Sequence, residues 1–315
     1  MTSTVTRRAP QKNMVWVPGG TFSMGSDFEQ YPEEGPIRPV TVDGFWMDAT
    51  PVTVGQFRRF VKATGYETTA ERPWNPEDYG DLGVAALPPG SLVFFPTDRP
   101  VDLTDLTNWW RYVAGANWAH PEGPTTNTSG REYHPVVHVT WEDVVAYAAW
   151  AGKSLPTEAE WERAARGGLE GATYTWGEEF SPKGRPMANI WVGEFPWQNL
   201  KPPALQRTSP VRSFPNNGYG LHDMAGNVWE WTSDFFQPRH TVEGEHSCCT
   251  IDNPRVESAS ESYDAGVPVA RRVLKGGSHL CSLSYCQRYR PAARQAQMVD
   301  SSMSHVGFRC IVKEQ

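Results

Sequence analysis

At 315 residues, with 21% charged residues and a formal net charge of −7, the chain is too rich in core-forming residues for disorder and too acidic for a nucleic-acid binder. It is long enough for one or two domains with a sizeable core. No apolar run reaches the roughly 18 residues of a membrane span, and the polar stretch from Met1 to Asn13 lacks the apolar centre of a signal peptide, so a soluble cytoplasmic protein with no membrane partner is expected.

Fourteen Trp, 28 Gly and 27 Pro predict short strands, long ordered loops and few helices around a Trp-rich interior. Residues 1–13 read as a tail. Met14 to Ser26 (MVWVPGGTFSMGS) reads as two strands around a Pro-Gly-Gly turn, and Pro39 to Met47 (PVTVDGFWM) as another. A helix is expected from Thr53, where Gln56 completes a capping box, Val54, Phe57, Phe60 and Val61 share a face, and Gly65 is the stop. The second opens at Thr140 with Asp143 and runs to Trp150, before Gly152. The third opens at Thr157 with Glu160 and ends at Gly167-Gly168. Tyr66 to Pro100 and Ser181 to Asn217 show no period and read as long loops fixed by tertiary contacts. The polar segment from Val242 to Ala270, which holds Cys248 and Cys249, reads as a mobile insertion.

The run KGGSHLCSLSYCQRYR, Lys275 to Arg290, carries the strongest chemical signal. Thiolate is the reactive and metal-binding form of cysteine, and Arg288, Arg290 and Arg294 supply positive charge that would lower the pKa of Cys281 or Cys286. Residues i and i+5 point to opposite faces of a strand and lie roughly 140° apart around a helix. For both sulfurs to meet, Ser282-Leu283-Ser284 must bend. A soft metal or a redox reaction suits the pair; so do a structural disulfide or two unrelated buried thiols. Five cysteines leave at least one free, and in a reducing compartment thiols serve metals and redox chemistry more often than permanent disulfides. Cys248 and Cys249 read as exposed loop thiols and Cys310 as a core residue.

His134 and His138 have the i, i+4 spacing of a zinc helix, but Pro135 and Val136-Val137 argue for an extended segment that sets the imidazoles about 13 Å apart, too far for one metal. Asp223-Met224-Ala225-Gly226-Asn227-Val228-Trp229-Glu230 sets two carboxylates around a curled, Gly-containing stretch. That arrangement suits a hard cation such as calcium, or carboxylates bonded to loop N–H groups. Asn127-Thr128-Ser129 is a glycosylation sequon without consequence in a cytoplasmic chain.

The run KGGSHLCSLSYCQRYRPAAR, with Asp300-Ser301-Ser302 and Gly307-Phe308-Arg309-Cys310 beyond it, resembles the C-terminal segment of formylglycine-generating enzymes, the sulfatase-modifying factors. MVWVPGGTFSMGS, NWWRYVAGANWAHPEGP, HPVVHVTWEDVVAYAAWAGKSLPTEAEWERAARGG and NGYGLHDMAGNVWEWTSD match in order, so the likeness runs from about Met14 to Val312. Several of these motifs also mark a wider superfamily that holds sulfoxide synthases and non-catalytic binding modules. The resemblance implies one domain over 14–315 with a C-type-lectin-like α+β fold of little regular structure. It also implies oxidation by O₂ of the cysteine of a Cys-x-Pro-x-Arg segment in an unfolded sulfatase, giving formylglycine.

Carried over by position, Cys281 and Cys286 become Cu(I) ligands and Ser278 and Tyr285 hydroxyls at the oxygen and substrate site. Arg290 becomes a positioning cation and Trp229 a wall of the oxygen pocket. The resemblance also implies structural calcium at Asp223, Gly226, Val228 and Glu230, with Asp223 in place of a more usual Asn. A further calcium falls at Asn189 and Ile190, where Pro203 occupies the position of an expected aspartate. His305 stands where relatives often carry Asn, Ser282 where His is common, and the upstream partner that bridges to Cys310 in secreted relatives is missing. The resulting expectation is a copper-dependent oxidase. The rivals are a non-catalytic binding module of the same superfamily and a thiol–disulfide oxidoreductase.

Overall fold

The computed structural model describes residues 8–74, 87–240, 250–264, 267 and 269–314. Cys248, Cys249 and much of the expected insertion around them lie outside the described residues. Gln11 and Asn13 do not belong to a free tail: Gln11 Nε2 donates to Ala151 O at 2.9 Å, and Asn13 O accepts from Ala49 N at 2.9 Å.

The helices form where their caps place them. In α1 (Val54–Thr64), Thr53 N donates to Gln56 Oε1 at 2.8 Å while Thr53 Oγ1 accepts from Gln56 N, and Gly65 closes the last turn at φ +69°. The same reciprocal bonds open α2 (Trp141–Trp150) at Thr140/Asp143 and α3 (Glu158–Arg166) at Thr157/Glu160, each satisfying donors that a helix start leaves free.

Among the described residues the strands are short and shared among four small sheets. β1 (Met14–Val17) pairs with β4 (Phe45–Asp48), and β2 (Gly20–Met24) with β3 (Arg38–Val42), which also pairs with β8 (Ile251–Asp252). The Pro-Gly-Gly stretch therefore carries the chain from one sheet to another rather than closing a hairpin. The single strand expected over Pro39–Met47 is two, broken at Asp43-Gly44, where a Cβ on Gly44 would lie 2.3 Å from the Trp16 ring. Tyr66–Pro100 is also not wholly loop, since β5 (Gly90–Phe94) pairs with β6 (Trp110–Ala114); five residues flanked by prolines are too few to show a period. Ser181–Asn217 holds only the short 3-10 turns Pro182–Gly184 and Pro203–Leu205, as its composition implies.

The sheet beneath the cysteine run contains β7 (Trp229–Phe235), β9 (Arg271–Lys275), β10 (Arg294–Met298) and β11 (Val306–Gly307), in the order β10-β9-β7-β11. One core cluster packs α1 and α2 against Trp229, Trp231, Leu274 and Cys281; a second packs α3 against Phe22, Val40, Phe45 and Met47. Trp109, Trp161 and Trp231 are fully buried, which accounts for part of the indole count.

Between α3 and β9-β10 lies a buried ionic layer. Lys275 Nζ sits 3.1 Å from Glu162 and 3.5 Å from Glu158, Arg294 grips Glu158 through two bonds of 2.8 Å, and Arg166 binds Glu162 at 2.7 Å. Burial alone would raise the Glu158 carboxyl, but Arg294 and Lys275 outweigh it and hold the group down to about 2. Breaking such a pair leaves a charge without a partner, at a cost of about 3–5 kcal/mol.

Arg294→Met should therefore lower the unfolding free energy by an amount in that range. A folded-state pKa below the unfolded value stabilises above about pH 4 and loses that contribution as pH falls toward 2. With Arg294 gone, acid unfolding should begin at a higher pH than in the native chain. Chemical denaturation at pH 7 and an acid titration followed by circular dichroism measure both, and a loss of unfolding free energy below about 1 kcal/mol would count against the layer.

Candidate active site

At the end of β9 the chain turns sharply through Gly276 (φ +93°) and Gly277 (φ +70°). A Cβ on Gly277 would meet Arg288 O at 2.7 Å, so glycine lets the outgoing turn and the returning Arg288-Tyr289 backbone lie side by side. The required bend is present. Cys281 N donates to Ser278 O at 3.0 Å, Tyr285 N to Ser282 O at 3.3 Å, and the Ser282 and Ser284 hydroxyls lie 2.9 Å apart, both bonded to Gly193 O. The result is a Sγ–Sγ separation of 3.2 Å between Cys281 and Cys286, both free thiols.

Two thiols this close titrate as a pair. The hydrogen bond between them pushes Cys281 well up, reinforced by its burial, and pushes Cys286 down, aided by the nearby Arg288 guanidinium. Below the ordinary thiol range the pair therefore loses one proton, from Cys286, and Cys281 retains the other. Of the three arginines read as thiol-activating, only Arg288 acts on the pair. It binds Glu33 at 2.8 Å and lies 4.6 Å over the Tyr31 ring. Arg294 belongs to the ionic layer. Arg290 makes two bonds, of 2.6 and 2.8 Å, to the buried Glu34, and it does not line the cleft that holds the thiols. Its position is that of a clamp on the Pro32–Glu34 turn rather than of a cation at the reacting atoms.

Cys281, Cys286, Ser278, Tyr285 and Trp229 line one cleft of about 420 Å³. Tyr285 stacks on Phe195 at 4.6 Å and meets the edge of Trp109 at 5.8 Å; burial, with the two thiols adding to it, raises its phenol to about 12. His305, legible in the sequence only as a departure from relatives, also lines the cleft. Its Nδ1 lies 3.4 Å from Ser278 Oγ and its ring meets Trp110 edge-on at 4.7 Å. Burial, with His138 nearby, holds that imidazole neutral, its pKa pushed down to about 3. Tyr31, from the far N-terminal part of the chain, joins the same wall, and no local pattern pointed to it.

The other candidates separate. His138 is fully buried between Ser91 Oγ at 2.7 Å and Pro121 O at 2.8 Å, and His134 bonds Thr208. The Pro135–Val137 stretch ends at His138 in a left-handed conformation, φ +61°, which the extended reading did not foresee. Burial pushes the Cys310 thiol well up, and Asp48 nearby adds to the shift.

Glu230 takes two bonds from Arg309, of 2.7 and 2.8 Å, and one from Trp161 Nε1 at 2.7 Å. Asp223 accepts one bond from Arg212 N, and burial raises its carboxyl despite that bond and Arg309 nearby. Asn189 pairs with Gly226 across the two loops, and its Oδ1 accepts from Lys201 Nζ. Among the described residues no group of three or more His, Cys, Asp or Glu is placed to hold a metal.

The asymmetry of the thiol pair predicts its reactivity. At pH 7.5 iodoacetamide should label Cys286 first, with Cys281 and Cys310 protected by burial and raised pKa, and the Cys286 rate should level off below the usual thiol range near 8.5. Time-resolved peptide mass spectrometry follows the three sites, and equal rates at Cys281 and Cys286 would contradict the assignment.

The family profile described as Sulfatase-modifying factor enzyme 1-like domain matches residues 2–314. The chain is 50% identical over 298 residues to a formylglycine-generating enzyme of Mycobacterium tuberculosis, covering 95% of this chain and 97% of that one. It is 38% identical to the mouse protein named inactive C-alpha-formylglycine-generating enzyme 2, over 94% of this chain and 84% of that one. Among solved structures, PvdO from Pseudomonas aeruginosa superposes with a TM-score of 0.59 at 23% identity, over 96% and 94% of the two chains, a likeness of fold. The fold is the α+β, C-type-lectin-like fold of formylglycine-generating enzymes, and the chain belongs to the sulfatase-modifying factor family.

Proposed function

We propose that this protein converts the cysteine of a Cys-x-Pro-x-Arg segment in an unfolded sulfatase to formylglycine, using O₂ and Cu(I) held by Cys281 and Cys286, in the cytoplasm. The observation that carries the reading is the pair of free sulfurs, 3.2 Å apart, in the wall of a 420 Å³ cleft. The 50% identity to a formylglycine-generating enzyme, against 38% to an inactive relative, favours catalysis over the binding-module reading.

The donor set fits copper, because two soft sulfurs, one of them already favoured as thiolate, suit Cu(I) above harder metals. When bound, copper supplies a soft centre at which a substrate thiolate and O₂ meet. Cys286 presents the ready thiolate and Arg288 stabilises it. Ser278 and Tyr285 place hydroxyls on the cleft wall, and Tyr285 is a proton holder rather than an anion at neutral pH. Trp229, Leu274 and Leu280 give the wall an apolar lining that limits water at the sulfurs. An extended peptide suits such an open cleft, since main-chain bonds and a few pockets hold it with little dependence on the rest of its sequence.

Calcium would take the loop of Asp223, Gly226, Val228 and Glu230 with Asp223 as its free carboxylate, Glu230 sharing an oxygen already bonded to Arg309 or Trp161. Two carboxylates face a single guanidinium there, and among the described residues Asp223 has no ion pair of its own, so a cation would complement its buried carboxyl.

Mass spectrometry of a Cys-x-Pro-x-Arg peptide incubated with the protein, Cu(I), reductant and O₂ should show the aldehyde. Cys281→Ser and Cys286→Ser should each remove copper binding and turnover while the fold is kept. A folded variant with near-native turnover would end the copper assignment. A disulfide formed between the two cysteines without peptide oxidation would favour the oxidoreductase.

For calcium, Glu230→Gln is an ambiguous probe because it also breaks the bond to Arg309, so Asp223→Ala is preferred. Native protein should lose about 2.7 kcal/mol of stability when calcium at a hundredfold excess over Kd is chelated. The Asp223→Ala variant should be indifferent to chelation. A native melting temperature unmoved by chelator would remove calcium from the account.

A further inference from the structure

The loop from Asn189 to Arg207 carries a cation of its own. Lys201 Nζ donates to Asn189 Oδ1, while Asn189 Nδ2 donates to Arg207 O at 2.9 Å and to Asn227 Oδ1 at 3.3 Å. Asn189 is 1% exposed, so the oxygen that Lys201 reaches is an interior one. The base of the lysine is fixed as well. Its N donates to Asn199 Oδ1 at 3.1 Å and its O accepts from Gln206 Nε2 at 2.9 Å.

A calcium ion implied by the family at Asn189 and Ile190 does not fit these residues. The oxygen offered by Asn189 is already bound to an ammonium, and Pro203, at the aspartate position, brings no carboxylate. The charges also balance: a divalent ion with one carboxylate leaves +1, and one ammonium among neutral donors leaves the same +1. We propose that Lys201 is a tethered replacement for that calcium ion, a built-in cation that holds the Asn189–Arg207 loop closed.

The loop it holds supports the thiols. Asn227 N donates to Asn189 O at 2.7 Å, Asn227 O accepts both His279 N and Nδ1 at 3.0 and 2.8 Å, and Trp191 N donates to Cys281 O at 2.9 Å. Lys201 therefore reaches the turn of Cys281 through two bonded steps, and this support does not depend on the free calcium concentration.

The test uses the full chain and calcium chloride alone. Acetic anhydride labelling read by mass spectrometry, with the exposed Lys62 and Lys183 as references, should find the Lys201 rate unchanged on adding calcium. Lys201→Met should lower the melting temperature by about 3 °C or more, with or without calcium. Lys201→Met with Pro203→Asp, which removes the tethered charge and restores a carboxylate, should bind one more calcium per chain than the native protein in equilibrium dialysis. Calcium should then recover the lost melting temperature. The proposal is overturned if calcium speeds Lys201 labelling in the native chain, because the ion would then be displacing the amine. It is also overturned if Lys201→Met melts as the native protein does, or if the double variant gains no calcium. None of these readouts involves turnover, so they stand or fall apart from the oxidase reading.

Discussion

Two sulfurs 3.2 Å apart on a segment without regular structure need a rigid floor, and the ionic layer between α3 and β9-β10 provides it. Lys275 is the last residue of β9, immediately before the Gly276-Gly277 turn, and its ammonium is bound to two carboxylates of α3 and to Ala292 O at 3.2 Å. Arg294, the first residue of β10, grips one of the same carboxylates. Both ends of the 276–293 excursion that carries Ser278, Cys281, Tyr285 and Cys286 are thereby fixed to one helix. Buried ion pairs add little net stability over apolar packing, but they penalise alternative registers severely, because any slip leaves a charge unpaired. For a segment that must hold one S–S approach, that penalty matters more than the net stability.

Local signals were legible where bonds are local. The three capping boxes span four residues each, so Thr53, Thr140 and Thr157 announced their helices without tertiary information. The bend between the thiols was required by spacing alone. Features that depend on distant partners were not legible: Arg288, Arg290 and Arg294 look alike in sequence. Their roles diverge because Glu33, Glu34 and Glu158 meet them across the fold, with Arg290 and Glu34 separated by 256 positions. Lys201 carried no signal beyond its neighbour Pro203 failing to be an aspartate. The break at Gly44 is hidden for the same reason, since what forbids a side chain there is the ring of Trp16 on another strand.

The cleft's electrostatics follow from those pairings. Had all three arginines faced the sulfurs, both thiols would have been drawn toward thiolate and would have repelled each other at 3.2 Å. Glu34 and Glu158 instead take two of the cations into the interior, leaving Arg288, itself shared with Glu33, to bias one sulfur. The pair is therefore asymmetric, with the Cys286 thiol shifted down by its bond to Cys281 and by Arg288, and the Cys281 thiol shifted up by the same bond and by burial. The raised Cys281 thiol opposes a doubly charged pair in an apolar wall, and any soft metal held by both sulfurs would compete with its proton. The neutral His305 and the raised phenol of Tyr285 add no further charge to that wall. Few charges therefore face the cleft, and Trp229, Leu274 and Leu280 leave part of its wall apolar.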